Sequence, residues 1–297
     1  MSDFFNYILT KFLLFIGFIS SKLSIKGRMK LGNKIGDAMR LLGASRRKIT
    51  KENIYNSFPD MSIDLKENIL KDSYRNLAIT LVEMLTLKYL SDEDMREYMQ
   101  YDNIDLLTVP YAKGKGLIML SGHLGNWEFL AYSAGLFTGI SVAIIVQPQK
   151  NKYADKIMNE YRTKSGNSVV SMYTAARKIV SVLSSGGALA LLADQSATED
   201  KDIFVDFFGR PAATYEAPAN LSLKYGSPIV MGFPFRQNDG TYKVILKEVK
   251  SDDLHYSKED IIELTKRHVK ILEDMIRDNP GLWAWQHRKW KHQPKTN

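Results

Sequence analysis

From about residue 115 onward, short aliphatic runs alternate with longer stretches of helical periodicity, and that alternation leaves few architectures open. Leu117–Leu120, Ser141–Val146, Ala188–Ala193, Pro228–Phe235 and Tyr242–Val249 have the length and composition of strands. Glu128–Leu136, Lys152–Lys164, Tyr173–Ser184, Tyr215–Tyr225 and Lys258–Asp278 read as helices. Strands separated by helices need crossover connections, and crossovers build a mostly parallel sheet flanked by helices. The fold class is therefore α/β. Residues 27–100 show no strand pattern. Leu65, Ile69, Leu70, Leu77, Leu81 and Leu85 recur at three- and four-residue spacing there, and Pro59 ends whatever precedes it. The chain reads as a helical subregion over 27–100 ahead of an α/β core over 115–297.

Residues 1–26 read as a separate element. Phe5, Ile8, Phe12, Phe15, Ile16, Ile19 and Leu23 form one broad apolar stripe at helical spacing. The charge-free stretch, Phe12 to Ser21, spans only ten residues, whereas a comfortable membrane span needs about 20. Lys11 and Lys22 can extend it by snorkelling. This predicts an interfacial or barely spanning anchor helix, with a core helix and a signal peptide as alternatives. A signal peptide opens on basic residues, and the first ten positions hold no Lys or Arg.

The net charge of +8 sits entirely in residues 1–50, which carry ten basic and two acidic side chains; the remainder carries 31 of each sign. An excess confined to one end points to an anionic surface. The adjacent Phe/Leu/Ile stripe suits an anionic membrane. No helix-turn-helix, zinc-finger or RNA-recognition signature supports nucleic acid instead. Basic residues after the apolar run place that flank and the following domain in the cytoplasm.

Several chemistries are short of parts. With no cysteine in the chain, disulfides, Cys-ligated zinc, iron–sulfur clusters and a cysteine nucleophile are excluded. There is no Gly-x-Ser-x-Gly elbow, no Walker loop and no His-Glu-x-x-His pair, so neither a metal nor a cofactor is expected. The strongest signal is Leu120-Ser-Gly-His-Leu-Gly-Asn-Trp-Glu128. An apolar strand runs into a glycine-rich loop and then a helix, and open α/β sheets bind ligands beyond the carboxyl ends of their strands. A histidine with a carboxylate partner is a general base. Within one helix His123 and Glu128 would be about 140° apart. They converge only if His123 lies in the loop and Glu128 in the first helical turn.

This motif resembles the His-x4-acid hallmark of the late acyltransferases of lipid A biosynthesis. Other segments are similar to that family in the same order: Asn53 with Phe58-Pro59, Asp194-Gln195 after an apolar strand, Val205-Asp-Phe-Phe-Gly-Arg-Pro-Ala-Ala-Thr214, and Trp285-Gln-His-Arg-Lys-Trp290. The resemblance implies an enzyme at the cytoplasmic face of the bacterial inner membrane. It would move a fatty acyl chain from an acyl thioester, on acyl carrier protein or coenzyme A, to a hydroxyl of a lipid A precursor. It implies His123 as base, oriented by Glu128, with Asp194 as the alternative partner. Gly125 and Asn126 would supply oxyanion donors, Arg162 and Arg210 would bind phosphates, and Asp194-Gln195 would belong to the substrate site. Gln147-Pro148 departs from the Arg-Pro of better-known members, so another glycolipid or a lysophospholipid stays open as acceptor, as does an inactive lipid-binding relative. Trp283, Trp285 and Trp290 suit either a membrane interface or a packed cap.

Overall fold

The computed structural model describes residues 3–197, 203–292 and 294. Five helices come first: α1 (Asp3–Ser21), α2 (Ile25–Leu42), α3 (Ala44–Ser57), α4 (Ile63–Thr86) and α5 (Asp92–Tyr98). Their starts follow local chemistry. The hydroxyls of Ser24, Ser62 and Ser91 accept hydrogen bonds from backbone N–H groups in the first turns of α2, α4 and α5, and Asp94 completes a reciprocal capping box at Ser91.

Strands and helices then alternate as β1 (Met99–Tyr101), α6 (Asp105–Ala112), β2 (Leu117–Ser121), α7 (Trp127–Thr138), β3 (Val142–Val146), α8 (Lys152–Thr163), β4 (Ser168–Ser171), α9 (Ala175–Ser184) and β5 (Ala188–Leu192). There follow β6 (Ile203–Phe207), β7 (Arg210–Thr214), α10 (Ala217–Tyr225), β8 (Ile229–Arg236), β9 (Tyr242–Val249) and α11 (Lys258–Asp278). Seven strands form one sheet in the order β1-β9-β8-β2-β5-β3-β4, parallel throughout except where β8 meets β9. The expected α/β architecture with a mostly parallel sheet is present.

β2 occupies the middle of the sheet and is buried along its whole length. Its alternation divides the core. Ile118 and Leu120 join the cluster built with α11, Trp283 and Trp285, while Leu117 and Met119 join the cluster built with Phe129 and Tyr132 of α7. Sequence reading misses β1, β4 and the β6–β7 hairpin. The first two have only three and four residues. The hairpin turns on Phe208 and Gly209, both at positive φ (56° and 71°). That turn type favours Asn-Gly or Gly-Gly, so Phe208-Gly209 gave no signal. Phe208 is held there by its N–H on Glu273 Oε2, 2.6 Å.

α1 is no core helix. Only Thr10, Gly17 and Ser20 are buried, and its Phe and Ile side chains face outward. By length and hydropathy alone it is able to cross a membrane. At the other end of the chain the alternative closes differently. Trp283 and Trp285 are fully buried against Phe207, Phe208 and Phe58, so that segment is a packed cap and not an interfacial belt.

Candidate active site

His123 lies in the loop between β2 and α7, at the carboxyl end of the central strand. Its backbone is clamped from two sides. Its N–H donates to Asp194 Oδ2 at 2.7 Å, and its C=O accepts from Ala284 N–H at 2.9 Å. Gly125 makes the turn into α7 at φ 61°. A Cβ there would sit 1.8 Å from the Pro234 carbonyl oxygen, so no side chain fits.

The carboxylate that meets the imidazole is Asp194, which follows β5. Asp194 Oδ1 lies 2.7 Å from His123 Nδ1, and Oδ2 also accepts from Trp283 Nε1–H at 2.8 Å. A carboxylate acceptor on Nδ1 places the proton on that nitrogen, so Nε2 presents its lone pair. Burial alone would push the imidazole down, but the charge and hydrogen bond of Asp194, with the charge of Glu128, raise it above its ordinary 6.5. Burial would likewise raise Asp194. The facing His123, its backbone N–H and the Trp283 indole hold the carboxyl far below its usual range.

At the open nitrogen stands Gln195. Its Nε2 is 3.2 Å from His123 Nε2 and 3.2 Å from His287 Nε2, so one amide donates to both rings. Burial and the nearby His123 hold His287 down at about 4, so it stays neutral.

Several of the expected groups are engaged elsewhere. Glu128 sits in the first turn of α7 and forms a bidentate pair with Arg162 (2.6 and 2.9 Å), while Asp194 is the carboxylate on the His123 ring. That pair engages Arg162 Nε and Nη2, and Nη1 donates to Asn159 Oδ1 at 3.2 Å, so the guanidinium expected to bind phosphate already has protein partners. Gly125 and Asn126 are not free oxyanion donors. Gly125 N–H donates to Leu282 C=O at 3.0 Å, while Asn126 Nδ2 donates to Glu83 Oε2 at 2.9 Å and Asn126 Oδ1 caps Phe129 N–H. Arg210 stacks 3.6 Å over the Trp290 ring and donates to Ser57 Oγ at 3.3 Å. For Glu128, Arg162, Gly125 and Asn126 the physical reason is common: a buried polar group must find a partner, and these found one within the protein.

The Glu128–Arg162 pair is almost dry, with side chains 6% and 12% exposed. Removing one partner strands a buried charge. Arg162→Ala is expected to destabilise the protein by about 3 kcal/mol, and adding Glu128→Ala to it should recover much of that loss. Thermal unfolding of the two single variants and the double variant measures the coupling. Additive losses would show that the pair is not coupled.

Sequence reading missed a second polar layer beneath this loop. Glu83 of α4 accepts from Arg236 Nη1, Asn126 Nδ2 and Tyr242 OH at 2.6, 2.9 and 2.6 Å, and Thr80 Oγ1 donates to Gly125 C=O at 2.9 Å. A lone Glu in an apolar helical repeat gave no sign of these distant partners. His287 and Trp283 were also missed as site members. His287 sits inside the tryptophan-rich motif, which was the available signal. Asn53, singled out by resemblance, ties α3 to that motif through the carbonyls of Trp285 and His287.

An apolar cavity of about 100 Å³ lies between the sheet and α7, with Ser121 and Trp127 of the His123 loop region in its wall but not His123, Asp194 or Gln195 themselves. Met119, Leu130, Ala131, Ile144 and Val230 line it, and its charged lining residues are Glu128 and Arg162. Trp127, also in its wall, places its ring 4.8 Å from the His123 ring.

A histidine held by a buried carboxylate, near an apolar cavity, suits transfer of a greasy group to a hydroxyl. Comparison with known proteins agrees. Residues 2–292 match the family model of bacterial lipid A biosynthesis acyltransferases. The lipid A biosynthesis palmitoleoyltransferase of Escherichia coli (strain K12) is 23% identical over 266 residues, covering 89% of this chain and 85% of that protein. The lauroyltransferase of the same organism is 22% identical over 271 residues (90% and 86%). A phosphatidylinositol mannoside acyltransferase of Mycolicibacterium smegmatis is 21% identical over 235 residues (76% and 74%). A match over nearly the whole length, on a fold that presents this site, makes the chain an acyltransferase and a member of the bacterial lipid A biosynthesis acyltransferase family.

Proposed function

We propose that the protein transfers a fatty acyl chain from an acyl thioester, carried by acyl carrier protein or coenzyme A, to a hydroxyl of a lipid A precursor. The transfer takes place at an anionic membrane surface, the cytoplasmic face of the inner membrane. The observation that carries this reading is the His123–Asp194 pair, whose open Nε2 faces Gln195 beside the apolar cavity.

The geometry supports the following steps. The acceptor hydroxyl displaces Gln195 from Nε2 and gives its proton to that nitrogen. Its oxygen attacks the thioester carbonyl carbon, and a C–O bond forms. The Gln195 amide, freed from Nε2, donates to the developing oxyanion. Collapse breaks the C–S bond, and the imidazolium returns its proton to the departing thiolate. Asp194 supports the imidazolium without being protonated itself. No acyl-enzyme and no cofactor are needed.

The acyl chain enters the cavity past Trp127. An apolar cavity of about 150 Å³ admits benzene, so the present space takes the first few carbons of the chain. The chemistry that recognises either donor is the thioester, and the basic N-terminal region suits an acidic carrier protein as well as an anionic lipid.

A second reading changes the acceptor only. Gln147, which replaces an arginine by resemblance, contacts Tyr173 OH at 3.4 Å and brings no charge to the end of β3. An acceptor with fewer phosphates, such as another glycolipid or a lysophospholipid, fits that difference. The test is to incubate membranes carrying the protein with acyl-carrier-protein or coenzyme A thioesters and a tetraacylated lipid A precursor, then read product masses. A gain of one acyl mass is expected. Acylation of a mannolipid or lysophospholipid, and not of the precursor, would establish the second reading. Transfer to none of them would overturn both.

A further inference from the structure

We propose that α1 lies flat in a single leaflet, with both of its ends on the domain's side of the bilayer, and does not cross it. This deepens the membrane part of the proposed function, and its tests read topology and not acyl transfer, so either reading can fail alone.

The argument starts from where the two ends of α1 are fastened. In its first turns, Asp3 Oδ2 meets Lys152 Nζ at 2.8 Å and Tyr153 OH at 3.0 Å. The Asn6 carbonyl and Thr10 Oγ1 accept from Asn151 Nδ2 at 3.2 and 3.0 Å. All of these partners lie at the start of α8. In its last turns, Gly17 packs on the backbone of Leu85 so closely that a Cβ would stand 2.2 Å from the Leu85 carbonyl oxygen. Tyr89 OH donates to Leu14 C=O at 3.3 Å, and the Tyr89 ring meets Phe18 at 5.7 Å.

A helix of 19 residues is about 28 Å long, close to the thickness of the bilayer's hydrocarbon core, about 30 Å. If α1 crossed, its first and last turns would sit on opposite faces of the membrane. The domain touches both. Crossing would therefore bury the intervening surface of α4 and α8 in lipid and carry Asp3 and Lys152, 60% and 67% exposed, to the far side.

The faces of α1 agree with a flat position. Its buried positions are small or polar, Thr10, Gly17 and Ser20, with Asn6 and Leu13 half-buried beside them. Its outward face carries Phe4, Phe5, Ile8, Phe12, Phe15 and Ile19, each between 48% and 73% exposed. A one-sided apolar face is what an in-plane helix sinks about 5–10 Å into the headgroup boundary. The occupant of that face is the outer acyl region of an anionic leaflet. The charge complement is local, since residues 1–50 hold the whole +8 excess, and the Lys11 and Lys22 ammonium groups fold back over Tyr7 and Phe18 on the same helix.

The absence of cysteine makes the test clean. Single-cysteine variants Asp3→Cys and Asp253→Cys of the full chain are exposed to a membrane-impermeant maleimide in spheroplasts and in inverted inner-membrane vesicles. Asp253 is 64% exposed and marks the domain. Both variants should label in inverted vesicles and neither in spheroplasts. Labelling of Asp3→Cys from the spheroplast side alone overturns the proposal. A second measurement covers a poorly reactive cysteine. Fluorophores on Phe4→Cys, Phe12→Cys and Phe15→Cys are quenched by lipid nitroxides at two depths, in vesicles containing phosphatidylglycerol. Equal, shallow depths are expected. A profile deepest at residue 12 and shallow at residue 4 means a span and overturns the proposal, as does a chain that stays in solution.

Discussion

His123→Ala is expected to lower kcat/KM for acyl transfer by about 10²–10⁴, the usual worth of a positioned general base. The acceptor hydroxyl has a pKa far above neutral, so its oxygen attacks efficiently only while its proton is being taken. The size of the loss follows from the absence of a substitute. His287 is the second imidazole at this spot, on the other side of Gln195, and its burial, the largest cause that holds its pKa down, survives the substitution. A base that weak does not replace the lost one at neutral pH. The clamps on the loop survive the substitution, since residue 123 contributes only backbone atoms to both, its N–H to the Asp194 carboxylate and its C=O to the Ala284 N–H. The variant should therefore fold, which circular dichroism checks, and product mass measures the activity. A folded His123→Ala that keeps full activity would falsify the proposed mechanism.

Asp194→Asn is expected to cost nearly as much, about 10³–10⁴ in kcat, through the tautomer of its neighbour. Asp194 Oδ2 receives two donors, the His123 N–H and the Trp283 indole N–H. An asparagine satisfies both only by placing its oxygen there, which aims its NH₂ at His123 Nδ1. The imidazole must then carry its proton on Nε2, and the lone pair that faces the substrate is lost.

The pH dependence has a definite sign. Activity needs the neutral imidazole, so it rises with pH through the His123 pKa, which Asp194 lifts above 6.5. Without that carboxylate, the acid limb of the residual kcat/KM should move to lower pH. An unmoved limb would mean that Asp194 does not act on His123.

Much of the scaffold was legible. Every strand expected from β2 onward formed within a residue or so of its expected bounds, because β2 and β8 are aliphatic runs buried on both faces and β9 alternates buried and exposed residues, and both patterns leave a clear trace. His123, Asp194 and Gln195 were visible because each ends or follows such a strand. The orienting carboxylate was not decided by spacing. Glu128 is near in sequence, but the helix turns it toward α8, where Arg162 takes it. Asp194 is 71 residues from His123 and becomes its neighbour because β5 lies beside β2. Asn126 and Arg210 looked like ligand groups for the same reason. A one-dimensional pattern shows which donors exist but not which are already engaged.

By itself, the sequence determined the alternating α/β layout, the loop that carries His123, the apolar and basic N-terminal end, and the likeness to the acyltransferase family. All of these rest on local periodicity, or on residues adjacent in the chain. Tertiary structure alone decided that Asp194 holds His123, that Gln195 and His287 stand at its open nitrogen, that Glu83 and Arg236 brace the loop, and that both ends of α1 rest on one body. Each of these joins groups distant along the chain. Such contacts are set by strand order and by the requirement that buried polar atoms find partners, and neither is written in the spacing of residues.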